Sequence, residues 1–169
     1  MARCLIIGCG CRGRSLAREL VAGGHAVRGT TRDSARRADI EAAGAEAVVG
    51  DPNLVGTLVG SLEHVVVACV LLGSAAGCRE HLEALHGSRL EMLLTRVVDT
   101  TVRGVVYEAA GSVDPAILEA GATLVRARCE DARIPYALLR ADPADHREWT
   151  AAAAAAVQRA LDGDPAGPR

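Results

Sequence analysis

The residues of this chain best placed to do chemistry crowd into six positions, Gly8-Cys9-Gly10-Cys11-Arg12-Gly13. Three glycines at this spacing, with a guanidinium among them, suit a backbone that must come close to an anion. The apolar run Leu5-Ile6-Ile7 stands before them, short enough for a strand buried on both faces. Ser15 to Val21 follows with apolar residues at helical spacing. Strand, glycine turn and helix in that order predict a dinucleotide site of the Gly-x-Gly-x-x-Gly kind. Gly8 permits the tight turn, Gly10 lets a pyrophosphate approach the backbone, and Gly13 lets the helix pack close to the strand. The phosphates are expected at the helix N-terminus, where unpaired N–H groups and the macrodipole favour negative charge. All six residues, Gly8, Cys9, Gly10, Cys11, Arg12 and Gly13, are therefore candidate cofactor contacts. Cys9 and Cys11 read in two ways: as small side chains filling a crowded loop, or as thiols activated by the helix terminus and by Arg12 and Arg14.

Further candidates sit where other strands end. Ala26-Val27-Arg28-Gly29-Thr30-Thr31 is the expected second strand. Thr31 lies about 20 residues past the turn, where an NAD site places a ribose-binding carboxylate. It is neutral here and Arg32 follows it, which favours NADP(H) over NAD(H), because a guanidinium can bind a 2′-phosphate bidentately. Arg28, Arg36 and Arg37 are weaker candidates and are expected to face solvent. Asp51 closes the third strand, Ala45 to Asp51, and reads equally as an acceptor for an adenine amine or as a turn-forming cap. Ala68 and Cys69, in the apolar fourth strand Val65 to Leu72, complete the expected cofactor set. Catalytic candidates are few: Tyr107, Glu108 and Ser112 around the end of the fifth strand, and Asp142 after the sixth. His81, His86 and Arg89 are expected on a helix surface.

A methyltransferase turn can also read Gly-Cys-Gly, but it calls for an acid before the first glycine and another ending the second strand. Neither is present.

The elements that must position these residues alternate along the chain. Six apolar segments and intervening helical ones predict an α/β fold, a doubly wound parallel sheet in the order 3-2-1-4-5-6 between two helical layers. The remaining strands are expected at Val102–Glu108 and Ile134–Arg140. Helices are expected at Ser34–Ala43, Leu54–Leu62, Cys78–Val98 with a break at Gly87, Val113–Arg133 broken near Gly121, and Glu148–Leu161. One domain over residues 1–161 and a frayed tail over 162–169 account for the chain. Its three aromatic residues, Tyr107, Tyr136 and Trp149, leave a core of Val, Leu, Ile and Ala.

Composition narrows the function classes. A net charge of −2 gives no electrostatic footprint for nucleic acid. No segment approaches the ~20 apolar residues of a membrane span, and no signal peptide is evident, so a cytoplasmic protein with six free thiols is expected. Cys9-x-Cys11 is not a zinc spacing, so no metal is expected. The candidate partners are the dinucleotide, a small molecule or protein of unknown identity, and a second copy of the chain. All 19 basic residues are arginine; the chain has no lysine.

Ile7 to Arg14, Gly24-His25-Ala26-Val27 and Thr30-Thr31-Arg32 together resemble the opening of atypical short-chain dehydrogenases/reductases. Gly50-Asp51 and Val105-Val106-Tyr107 resemble the same group. Glu130 with Ile134-Pro135-Tyr136-Ala137-Leu138-Leu139-Arg140 is similar to the NmrA-like branch and to NAD(P)-dependent epimerase-type proteins. The resemblance covers roughly residues 3–142 and implies the fold and an NAD(P) cofactor. It also implies a Tyr-x-x-x-Lys pair on the helix after the fifth strand, or a single catalytic Lys. This chain has no Lys, and Val113–Arg133 contains no Tyr. Two functions remain open: an NADP(H)-dependent oxidoreductase without the Tyr–Lys pair, and a non-catalytic NADP(H)-binding sensor or scaffold.

Overall fold

In the computed structural model, which describes residues 1–163, six parallel strands form one sheet in the order β3-β2-β1-β4-β5-β6. The strands are β1 (Arg3–Ile7), β2 (Ala26–Thr31), β3 (Glu46–Val49), β4 (Val67–Val70), β5 (Gly104–Glu108) and β6 (Tyr136–Leu139). Central β1 is apolar on both faces, as a strand sandwiched between helices must be. Its alternate side chains enter different cores: Cys4 and Ile6 on one side, Leu5 and Ile7 on the other. The first core is closed by α1 (Cys11–Ala22), Ile40 of the short α2 (Arg37–Glu41), and α6 (His146–Asp162). The second is closed by a 3-10 segment, Val55–Leu62, by α4 (Leu90–Val98) and by α5 (Pro115–Ala132). Asp162, the first residue of the expected tail, ends α6 and Gly163 caps it; the rest of that expectation, residues 164–169, lies outside the described residues.

Four departures from the sequence reading have physical causes. Gly121 does not break α5, which runs unbroken for 18 residues. It is a point of close approach instead, since a Cβ there would run into the Tyr107 ring and hydroxyl. Gly87 does mark an irregularity, but as a five-residue π turn, Leu85–Arg89, joining α3 (Arg79–Ala84) to α4. That turn carries His86 inward, 2 % exposed, instead of leaving it on the helix surface. Arg28 is buried too. It lies 3.0 Å from Glu46 and donates to the Ser61 and Glu63 carbonyls at 2.7 and 3.2 Å, pinning β2 to the end of the 3-10 segment.

Candidate active site

The carboxyl ends of β1, β2, β4 and β5 open onto a cleft of about 750 Å³. It lies where the winding reverses, with β2 on one side of β1 and β4 on the other, the usual ligand position in open α/β sheets. Its floor is the glycine turn. Gly8 adopts φ +82°, and a Cβ there would stand 2.5 Å from the Leu71 carbonyl oxygen, so the turn against β4 admits only glycine. At Gly10 a Cβ would meet nothing within 4 Å, which leaves the backbone open to an incoming group. Gly10 also caps α1 without any side-chain hydrogen bond, and no acid stands in the first turn. The N-terminus of this 12-residue helix thus presents its N–H groups and dipole to the cleft. Two bonds tie the turn to β2: Gly8 N–H donates to Thr30 Oγ1 at 3.3 Å, and Cys9 N–H to the Thr30 carbonyl at 3.1 Å.

At the β2 end, Thr31, Arg32, Asp33 and Arg36 line the cleft, facing Gly50, Pro52 and Asn53 from the β3 loop. Asp33 does not offer its carboxylate freely, because it accepts the Ala35 N–H at 2.9 Å as a cap. Arg32 is exposed. Asp51 turns inward on its own loop, accepting from Asn53 N–H at 2.9 Å and from the Asn53 amide at 3.0 Å. The turn-forming reading therefore describes its contacts, and Asn53 reaches the cleft in its place.

Ala68 and Cys69 are the clearest misplacement. They lie within β4, 1 % and 0 % exposed, packed into opposite cores, and the cleft wall is built by Leu71 and Leu72 beyond them. The expectation placed the contact on the strand; in a parallel sheet only residues past its carboxyl end reach the ligand side. Of the two turn thiols, Cys11 is exposed. Cys9 is buried against Gly29, and burial pushes its thiol up to about 11, with Arg14 opposing only in part. At Cys9 desolvation outweighs the Arg14 charge, so the thiol stays protonated and fills space.

The catalytic candidates separate. Tyr107 points away from the cleft, 0 % exposed, with its hydroxyl 2.7 Å from His86 Nδ1 and burial raising its pKa far above the ordinary value. Ser112 is exposed on the β5 exit loop, its N–H 3.4 Å from Ser74 Oγ. Asp142 is spent on its own turn, accepting from Ala144 N–H at 2.8 Å. Glu108 alone of these four lines the cleft. It is 1 % exposed and saturated with donors: Gly73 N–H at 2.8 Å, Trp149 Nε1–H at 3.1 Å and Arg12 Nη2 at 3.3 Å. Burial raises its pKa; the bonds from Gly73, Arg12 and Trp149 hold it back. Trp149 was not anticipated as a site residue. An Ala-rich helix gave no sign that its single indole would reach the sheet's carboxyl edge. Gly73 and Gly111 meet backbone to backbone behind Glu108, and the Val113 N–H donates to the Gly73 carbonyl at 3.0 Å.

No family model and no curated protein matches this chain. Solved structures do. A short-chain dehydrogenase/reductase superfamily protein from Agrobacterium tumefaciens with bound NAD superposes with a TM-score of 0.67 at 19 % identity, over 82 % of this chain and 48 % of that one. The two proteins share one doubly wound, Rossmann-like fold. Triphenylmethane reductase from Citrobacter sp., complexed with NADP(H), has the same fold at a TM-score of 0.61 and 18 % identity, over 81 % of this chain and 48 % of that one. BdcA from E. coli superposes with a TM-score of 0.73 at 16 % identity, covering 94 % of this chain and 90 % of that one. Most of these neighbours are longer, and the chain spans about half their length. Among the described residues no helix is long and apolar enough to cross a membrane, and no group of His, Cys, Asp and Glu is placed to hold a metal.

Proposed function

We propose that this chain binds a nicotinamide dinucleotide across the cleft, NADP(H) in preference to NAD(H), as a cytoplasmic oxidoreductase working without a Tyr–Lys pair. The observation that carries the reading is the open glycine turn under an uncapped α1 N-terminus at the sheet's reversal point. A cleft of about 750 Å³ lies within the range of cofactor sites. The residues fit the group in order. Thr31, Arg32 and Asn53 suit an adenosine, the α1 terminus a pyrophosphate, and the Leu71, Leu72, Ser74 and Glu108 end a nicotinamide ribose. When bound, such a cofactor supplies hydride transfer; the chain's part is to bind, orient and provide protons.

Preference for the 2′-phosphate rests on Arg32, with Arg36 lining the same end. Losing one charge-assisted phosphate contact costs about 1.5–3 kcal/mol. Arg32→Ala is therefore expected to weaken NADPH binding roughly 10- to 150-fold in calorimetry, with NADH nearly unchanged. Equal losses for both would overturn the assignment.

A second reading, a non-catalytic NADP(H) sensor or scaffold, is favoured by the sealing of Tyr107 behind β5 in a chain without lysine. Turnover of NADPH with a carbonyl or enone panel separates the two: tight binding without turnover supports the sensor.

A further inference from the structure

One side chain lies across the cleft. Arg12 leaves the first turn of α1 and reaches past the end of β4, its Nη2 2.9 Å from Ser74 Oγ and 3.3 Å from Glu108 Oε1. Its guanidinium rests over the Trp149 ring, 5.4 Å from the centroid, and its Nε has no hydrogen-bond partner. The backbone of the same residue belongs to the phosphate turn, so a pyrophosphate held there lies within the side chain's own reach.

Glu108 differs from Arg12 in freedom. Its carboxylate is locked by the Gly73 and Trp149 N–H groups, whereas the Arg12 side chain is 26 % exposed on the cleft side. Glu108 faces Arg12 from α1, Gly73 from the β4 loop and Trp149 from α6, while Ser74 bonds Arg12 and not Glu108; Tyr107, next on its own strand, points into the opposite core. Arg12 is the one charged group bonded to it among the described residues. Two neutral donors are fixed and the single countercharge is movable.

We propose that the pyrophosphate of a bound dinucleotide draws the Arg12 guanidinium off Glu108, and that Glu108 takes up a proton in the exchange. The proposal rests on the dinucleotide reading above. Two anions then compete for one cation, and the buried carboxylate, left without its partner and with a second anion near, is the one that neutralises. The balance is simple: one proton passes from solvent to Oε1, the oxygen Arg12 vacates, and no bond to the ligand forms or breaks. The occupied cleft thereby holds a carboxylic acid at its β4–β5 end, in a chain with no lysine to serve there.

Calorimetric titration with NADPH, in buffers of different ionisation enthalpy at about pH 6 and 7.5, counts the protons directly. Wild type is expected to take up more protons than Glu108→Gln at one or both pH values, by up to about one per ligand; protons of the ligand's own phosphates cancel in the comparison. Arg12→Gln leaves Glu108 without its countercharge before binding, so its uptake is expected to fall as well, and this variant decides if Glu108→Gln folds poorly. Binding heat with the same proton count in wild type and both variants would overturn the exchange. No binding heat in wild type would overturn the dinucleotide reading, and this proposal with it.

Discussion

Two neighbouring residues of β5 are sent to opposite sides of the sheet by the two-residue period of the strand. Glu108 reaches the cleft, while Tyr107 meets His86 in the other core. The Tyr107–His86 pair has a pH signature of its own. Burial lowers the His86 pKa from its ordinary 6.5, with a backbone contact from Leu72 opposing in part. The unfolded chain therefore binds a proton that the folded one resists, so stability is full above pH 6.5 and is lost as the pH falls through the folded value. Urea unfolding of wild type and His86→Gln at pH 7.5 and 5.5 is expected to reveal a larger acid loss in wild type. Glu108 works in the other direction, since its raised pKa makes the fold hold the proton more strongly than the unfolded chain does. Its contribution falls as the pH rises from the ordinary carboxyl value through the folded one.

At the scale of elements, α5 and β5 are fitted to each other through Gly121, whose missing Cβ makes room for the Tyr107 ring. Gly121→Ala gains helix propensity worth up to about 1 kcal/mol, yet overpacks a fully buried ring at a cost of about 1–3 kcal/mol. Net destabilisation, read as a lower midpoint in chemical denaturation, is expected. A variant as stable as wild type would mean that the ring can shift. Gly121 also marks how far the elements were legible. The strands and their order follow from apolar runs and β2 begins and ends where expected, since patterning is local. The role of Gly121 was not legible, because a glycine inside a helix looks the same whether it breaks the helix or admits a neighbour. Arg28 and His86 escaped for a related reason. Each is a polar residue buried by partners, such as the Ser61 carbonyl and the Tyr107 hydroxyl, that lie far away in sequence.

Over the whole molecule, the cleft side of the sheet was readable and its depth was not. The glycine turn announced the cleft, and Thr31 and Arg32 fell on its rim. Ala68 and Cys69 were placed a few residues too early on β4, because a continuous apolar run conceals where the strand stops and the loop starts. Trp149 was missed because it arrives from α6, the last element of the described residues, and only the assembled fold brings it over β5.

The contact between Gly73 and Gly111 has a mechanical consequence. With backbone against backbone and Gly73 held from both sides, by Glu108 through its N–H and by Val113 through its carbonyl, the exit loops of β4 and β5 have no side chain to yield at this contact. They should open as one cooperative unit in native-state hydrogen exchange, the Gly73 and Val113 amides sharing a single opening free energy. Gly111→Ala would wedge that unit apart and speed exchange at both amides together. Faster exchange at one with the other unchanged would mean that the loops breathe separately.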